Sequence, residues 1–302
     1  MSYNRLDKTA LLSRKESIIM ERKLQVITGG TSGMGLAAAK ALSVYGPVLI
    51  GGRSEKRLAN ALAELKEAGV EAYGMPCDVS DKASLKAFAE YALTIAPIGN
   101  VINAAGVDYA NMPKEPIIKI NMLGTHYVLE TFLPYLDDSY VVNFSSITGN
   151  FYPGPSKEEK ELWDCTQTLS EEEFVKRQLE LTAQPMDPRM VALGDSYMTY
   201  AMSKRYVQYY TQANALRVAM KNNSRIISIA PGSFYTPMLA EGNNEAMQAS
   251  IKRGTVYQRF GTSEEMADLI VHLLAPGHGY LTGVDILHDG GKTALSFAKQ
   301  MM

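Results

Sequence analysis

From Lys23 onward, short apolar runs alternate with helix-length stretches, and this rhythm limits the possible folds more than any other feature. Strands are expected at residues 23–28, 48–51, 70–76, 100–104, 140–144, 225–229 and 284–287. Helices are expected at 33–45, 55–68, 82–95, 197–221 and 264–274, with 114–136 mostly helical. In the second helix Leu58, Leu62 and Leu65 recur at three- and four-residue steps, which places them on one face. Short strands alternating with helices predict a parallel sheet of about seven strands, covered on both faces and joined by right-handed crossovers. A length of 302 residues allows one large α/β domain or two small ones, and it can bury a core without disulfide or metal staples. The alternation, resumed after one interruption, favours a single doubly wound domain over residues 23–302.

Residues 150–195 interrupt the rhythm. Ser156-x-x-Glu159 and Ser170-x-x-Glu173 each have the form of a helix-opening capping box, and Pro153, Pro155, Pro185 and Pro188 bracket the segment. They predict a two-helix insertion. Residues 1–22 are mixed and mildly basic. They read as an N-terminal extension, either a partly ordered tail or a short docking helix using Leu6, Leu11, Leu12, Ile18 and Ile19.

Charge and composition remove several classes of function. A net charge of −2 gives no electrostatic basis for a nucleic-acid or anionic-membrane partner. No apolar run reaches the length of a membrane span, and the N-terminus lacks the apolar segment of a secretory signal. Cys77 and Cys165 are far apart with no CxxC, which points to a reducing cytoplasm. His126, His272, His278 and His288 form no HxH or HExxH pattern, so no metal site is expected.

Thr28-Gly29-Gly30-Thr31-Ser32-Gly33-Met34-Gly35 joins the first strand to the first helix. Glycine there lets the backbone approach a pyrophosphate, and the helix N-terminus offers free N–H groups to it. The spacing is TGxxxGxG rather than GxGxxG, and a tight strand–helix turn alone would also use these residues. At the end of the second strand Gly51-Gly52-Arg53-Ser54 replaces the acidic residue that usually holds an NAD ribose. Arg53 suits the 2′-phosphate of NADP, and Ser54 adds a hydroxyl, so NADP(H) is expected over NAD(H).

Tyr200 and Lys204 lie four residues apart, on one face of a helix. A phenol titrates near 10, too high for a base at neutral pH, and a nearby cation favours its ionised form. Such a pair also occurs by chance on helix surfaces. Here it stands within an ordered set of motifs: Thr28–Gly35, Cys77-Asp78-Val79, Asn103-Ala104-Ala105-Gly106, Asn121-Met122-Leu123-Gly124, Ser145-Ser146, Tyr200…Lys204, Pro231-Gly232…Thr236 and Asp289-Gly290-Gly291. With this set the chain resembles the short-chain dehydrogenase/reductase family from about Lys23 to Gly291.

The resemblance implies a Rossmann-type fold and a role for each matching position. Thr28, Gly29, Thr31, Ser32, Gly33, Met34 and Gly35 would line the dinucleotide, Asp78 would contact adenine, and Val79 would pack on its ring. Asn103, Ala104, Ala105 and Gly106 would lie along the cofactor, with Asn103 also bracing the central strands. Asn121 would hold a water behind Lys204. Ser146 would bind the substrate oxygen and Tyr200 would be the general acid/base. Lys204 would bind the nicotinamide ribose and lower the Tyr200 pKa. Pro231, Gly232, Ser233 and Thr236 would position the nicotinamide.

One departure is conspicuous. Ser146 and Tyr200 are 54 positions apart, much farther than in most members. A similar insertion occurs in monomeric carbonyl reductases and in bacterial 3α-hydroxysteroid dehydrogenase/carbonyl reductases, and the chain resembles the second group more. The inserted helices are expected beside the active site or over the next helix, where they would favour a monomer or a non-standard homodimer. Phe151, Tyr152, Phe234, Met238 and Leu239 suggest an apolar substrate pocket, with Trp163, Tyr235 and Met247 nearby in sequence. The expected activity is ketone–alcohol interconversion on a bulky apolar substrate such as a hydroxysteroid or bile acid. Double-bond reduction, epimerisation or NADP sensing without catalysis remain open on the same scaffold.

Overall fold

The computed structural model describes residues 22–110, 112–182, 195–237, 249, 251–275 and 277–301. The expectations for residues 1–21, Pro185, Pro188, Met238, Leu239 and Met247 lie outside these.

Seven strands form one sheet: β1 (Leu24–Thr28), β2 (Val48–Gly52), β3 (Ala72–Pro76), β4 (Ile98–Asn103), β5 (Tyr140–Phe144), β6 (Arg225–Pro231) and β7 (Val284–His288). Their order is β3-β2-β1-β4-β5-β6-β7, and all neighbours pair in parallel. The order reverses between β1 and β4, so the ligand crevice of such a sheet opens there, at the carboxyl ends of the strands.

The helices follow in chain order: α1 (Gly33–Leu42), α2 (Glu55–Glu67), α3 (Lys82–Ile95), α4 (Lys114–Ile117), α5 (Gly124–Phe132), α6 (Ile147–Phe151), α7 (Lys157–Asp164), α8 (Glu171–Thr182), α9 (Asp195–Ala213), α10 (Ala215–Ala219), α11 (Ser263–Leu274) and α12 (Lys292–Met301). Side chains alternate across each strand, so β1 sends Leu24 and Val26 to one apolar layer and Ile27 to the other. The first layer joins the sheet to α3, α5 and α9, through Phe88, Phe132 and Tyr206 among others. The second joins it to α1, α2 and α11, through Ala38, Ala61 and Ile270. Burying one such Leu, Ile or Phe contributes roughly 1.5–3 kcal/mol, so these two layers hold the sheet in place.

Four elements differ from the sequence reading. The stretch expected as one helix over 114–136 divides into α4, a π-helical turn (Ile118–Leu123), α5 and a 3₁₀ turn (Leu133–Tyr135). The long helix before β6 stops at Ala213, and α10 continues after Asn214. The short helix α6 and the C-terminal helix α12 were not anticipated; the Asp289 carboxylate accepts the N–H groups of Gly291 and Thr293 where α12 begins.

The insertion folds as two helices over α9. Both halves of the Ser156–Glu159 capping box form, and Ser170 Oγ accepts the Glu173 N–H at 3.2 Å. Trp163 is only 2 % exposed and stands edge-on to Tyr206, 5.5 Å between ring centres. Its indole N–H donates to Gln178 at 2.8 Å, and Tyr209 donates to Asp164 at 2.7 Å. Phe174 packs on the same Tyr206 ring. Among the described residues no helix is long and apolar enough to cross a membrane, and no group of metal-ligating side chains occurs.

Candidate active site

The loop after β1 is built for close backbone contact. Gly29 has a φ of +68°, and a Cβ there would lie 2.6 Å from the backbone of Ala104. A Cβ on Gly35 would lie 2.3 Å from the Gly29 carbonyl oxygen, so the first turn of α1 sits directly on the loop. Ser32 makes no side-chain cap on α1, whereas Ser54 and Asp81 cap α2 and α3. The N–H groups of the first α1 turn thus lack the acceptor that its neighbours have, which suits an anion. Thr28 Oγ1 donates to Asn103 Oδ1 at 2.8 Å, and Asn103 reaches Thr125 and Asn143 at 3.4 Å. This side chain ties β1, β4 and β5 together, as its expected bracing role requires.

The end of β2 carries Arg53, which is exposed. Thr31 packs on the same end, since a Cβ on Gly52 would lie 2.7 Å from its methyl group. The Asp78 carboxylate accepts the N–H and the hydroxyl of Ser80 at 2.9 and 2.6 Å, which fixes its direction. Val79 is buried against Gly124, where a Cβ would lie 2.8 Å from it. Thr236 packs on Gly33, bringing the segment after β6 over the β1–α1 loop. Gly232 donates to His288 O at 2.9 Å, and Ser233 O accepts the Gly261 N–H at 3.0 Å.

The second group of side chains converges from β5, the π-helical turn and α9. Ser146 caps α6: its Oγ accepts the Thr148 N–H at 3.2 Å. It also acts on the Tyr200 phenol, favouring its ionised form. The Lys204 Nζ lies 5.8 Å from the centre of the Tyr200 ring and donates to Phe144 O at 2.9 Å. Gly106 fits between two of these groups; a Cβ there would lie 3.3 Å from Asn121 Oδ1 and 3.5 Å from Lys204 Nζ. Asn121 accepts the Val107 N–H at 2.9 Å and donates to Val107 O and Ser203 Oγ at 3.0 and 3.1 Å. Its side chain therefore clamps the loop after β4 to α9. A π-helical turn at this position is the kind of local irregularity that functional sites exploit.

Burial pushes the Tyr200 phenol up to about 12; the Ser146 hydrogen bond pulls it down, and the charge of Asp108 adds to the rise. Burial also lowers Lys204 to about 8, which leaves it mainly cationic at neutral pH. The expected lowering of Tyr200 is therefore outweighed in the protein alone, because desolvation of the phenolate is the larger effect. A phenol in this state is a proton donor to an adjacent oxygen. A further positive charge above the site would be needed to make it a base at neutral pH.

The apolar residues fall out differently from the sequence reading. Phe151 is exposed at the end of α6, and the Tyr152 hydroxyl is bound by Glu159 inside the insertion. Phe234 is 6 % exposed and packs edge-on to His288; it borders a cleft with Thr255, Tyr257 and Arg259 whose lining does not include Ser146, Tyr200 or Lys204. The rings that do reach Tyr200 were missed. Tyr109, from the loop after β4, lies 5.5 Å from Tyr200 and 5.0 Å from Tyr197 between ring centres. The spacing of Tyr197 and Tyr200, three apart on one helix, was the available signal; nothing in the sequence pointed to Tyr109.

Comparison with known proteins agrees with this fold. A family model described as short chain dehydrogenase matches residues 23–157, and one described as enoyl-(acyl carrier protein) reductase matches 189–293. The chain is 27 % identical to the short-chain dehydrogenase/reductase bsc3 of Alternaria brassicicola, over 88 % of this chain and 94 % of that one. It is 26 % identical to the 3-oxoacyl-[acyl-carrier-protein] reductase FabG of Thermotoga maritima, over 90 % and 98 %. Its fold matches a crystal structure of a variant actinorhodin polyketide ketoreductase with NADPH, with a TM-score of 0.68 and 23 % identity, over 89 % and 97 % of the two chains.

Proposed function

Since the chain belongs to the short-chain dehydrogenase/reductase family, is an oxidoreductase of that class and has its NAD(P)-binding fold, we propose that it interconverts a ketone and a secondary alcohol with NADP(H). The observation that carries this reading is the convergence of Ser146, Tyr200 and Lys204 at the carboxyl end of the sheet, beside a glycine loop that a Cβ would fill. A dinucleotide fits the residues present: the Gly29 approach to Ala104 and the α1 N-terminus without a side-chain cap suit its phosphates. Thr28, Thr31, Ser32, Gly33, Met34, Gly35, Asp78, Val79, Ala104, Ala105, Gly106, Pro231, Gly232, Ser233 and Thr236 would hold it. When bound, it supplies or accepts the hydride.

The protein's own residues then do the rest. Ser146 Oγ holds the substrate oxygen. Tyr200 Oη gives that oxygen a proton in reduction and takes it back in oxidation. Lys204 supplies the positive charge under the phenol and binds a ribose hydroxyl, and Asn121 positions the loop and a relay water. The exposed Arg53, with no carboxylate at the end of β2, supports NADP(H) over NAD(H). The aromatic surroundings of Tyr200 support a bulky, ring-bearing apolar substrate such as a hydroxysteroid or bile acid, close to the chemistry of 3α-hydroxysteroid dehydrogenase/carbonyl reductases. The α7–α8 cover over α9 supports a monomer, or a homodimer through another face. The two free cysteines, one of them exposed, support a cytoplasmic location.

The test is nicotinamide absorbance on a panel of steroid, bile-acid and aromatic ketones and alcohols, with both cofactors. Turnover favouring NADPH, and an Arg53→Ala variant whose KM rises for NADPH but not for NADH, is the expected result. Higher kcat/KM with NADH, or turnover only of conjugated double bonds, would overturn it.

A further inference from the structure

We propose that Asp285, acting with Gln208, is a positioning residue that sets the Ser146 turn against the helix carrying Tyr200 and Lys204. It extends the reading of Ser146 and Tyr200 given above and rests on it. The carboxylate projects from β7, on the face of the sheet that α9 covers. Its Oδ1 accepts the hydroxyls of Ser145 at 2.7 Å and Ser228 at 2.6 Å, and its Oδ2 accepts the Gln208 amide at 2.9 Å. Three donors therefore meet one half-buried acid from the end of β5, from β6 and from α9. A charged acceptor makes each of these bonds stronger than a neutral one.

Gln208 carries the connection onward. It is 2 % exposed, and its amide nitrogen also donates to Asn150 Oδ1 at 2.7 Å. Its oxygen accepts from Arg205 at 3.1 Å. Both amide hydrogens are thus used, one on Asp285 and one on α6. Ser145 directly precedes Ser146, and Asn150 lies one residue before the end of the short helix that Ser146 caps. One carboxylate therefore holds that turn at both ends, directly through Ser145 and through Gln208 at Asn150. Tyr200, Lys204 and Gln208 are spaced four residues apart on α9, so they share one stripe of that helix.

Between the two fastened ends the backbones touch. A Cβ on Gly149 would lie 2.9 Å from Lys204 C and from Arg205 N, and 3.1 Å from Gln208 Oε1. The contact leaves no slack, so a shift of α6 relative to α9 moves Ser146 relative to Tyr200. Misplacement of a reacting group by about 1 Å costs on the order of 100-fold in rate. Nothing in the spacing of the sequence motifs marked Asp285, because β7 reaches α9 only once the sheet is assembled.

The first readout needs no substrate. The phenolate absorption of Tyr200 is titrated with NADP bound, with the Tyr200→Phe protein subtracted. In Asp285→Ala and in Gln208→Leu the titration moves to higher pH, because the Ser146 hydrogen bond that favours phenolate is loosened. Asp285→Asn, whose oxygen still accepts both serine hydroxyls but whose amide nitrogen cannot accept from Gln208, returns it only part of the way and leaves it near the Gln208→Leu value. On a turned-over ketone, kcat falls ~10–100-fold in Asp285→Ala while the NADPH KM is unchanged. A wild-type Tyr200 titration in folded Asp285→Ala overturns the proposal. If that variant does not fold, a wild-type titration in Gln208→Leu overturns it instead. A Ser146→Ala protein with an unmoved titration overturns the underlying reading of Ser146, which distinguishes that failure from a failure at Asp285 alone.

Discussion

Acidification from pH 6.5 to 4 should weaken the fold by about 3 kcal/mol through one side chain, His126. It sits on α5 and is only 6 % exposed. Its Nδ1 is 3.0 Å from the Tyr210 hydroxyl of α9, and its ring lies against Tyr127 and Tyr210. Burial lowers its pKa from 6.5 to about 4; the Glu130 carboxylate 3.7 Å away works against this, and the charges of Lys82 and Arg217 add to it. The folded chain therefore holds His126 neutral at pH values where the unfolded chain protonates it. Its contribution is complete above pH 6.5 and is lost as pH falls toward 4. The gap between 6.5 and about 4, at about 1.4 kcal/mol per pH unit, gives ~3 kcal/mol in full, and ~2 kcal/mol by pH 5. That is a large fraction of a typical domain's 5–15 kcal/mol. Urea unfolding of the wild type and of His126→Gln, at pH 7.5 and pH 5, isolates the effect, because all other titrating groups are shared. The wild type should lose ~2 kcal/mol more than the variant over that interval. Equal losses in the two proteins would refute the assignment.

Two other perturbations follow from the packing. Trp163→Ala removes the indole that fastens the insertion to Tyr206 and Tyr209, and should cost ~3–5 kcal/mol, read as a lowered urea midpoint. An unchanged midpoint would mean that the insertion does not stabilise α9. Gly29→Ala places a methyl 2.6 Å from the Ala104 backbone at a φ of +68°, and should abolish NADPH binding by calorimetry before it unfolds the chain.

Much of this molecule was legible in its sequence because two signals are local. Strand–helix alternation fixed the seven-stranded sheet, and α3 and β5 have the predicted boundaries. The ordered motifs located Ser146, Tyr200 and Lys204. What was not legible depends on tertiary contact. The π-helical turn arises where Asn121 reaches across to Val107 and Ser203, partners far away along the chain. The desolvation that lifts Tyr200 requires its surroundings to be assembled. The aromatic surroundings of Tyr200 also depend on assembly: Tyr152 donates to Glu159 within the insertion and Phe234 packs against His288, while Tyr109 arrives from the loop after β4. The insertion was recognisable from its capping boxes, and its place over α9 was one of the two expected, but the packing of Trp163 and Phe174 on Tyr206 that settles it is not revealed by any spacing.

The central claim is that Tyr200 moves the proton. The most direct measurement is single-turnover reduction of a ketone substrate by NADPH in wild type and Tyr200→Phe, with the cofactor Kd measured alongside. The account predicts a rate at least ~100-fold lower in the variant, with a Kd within about twofold of wild type. A wild-type rate in Tyr200→Phe would contradict it.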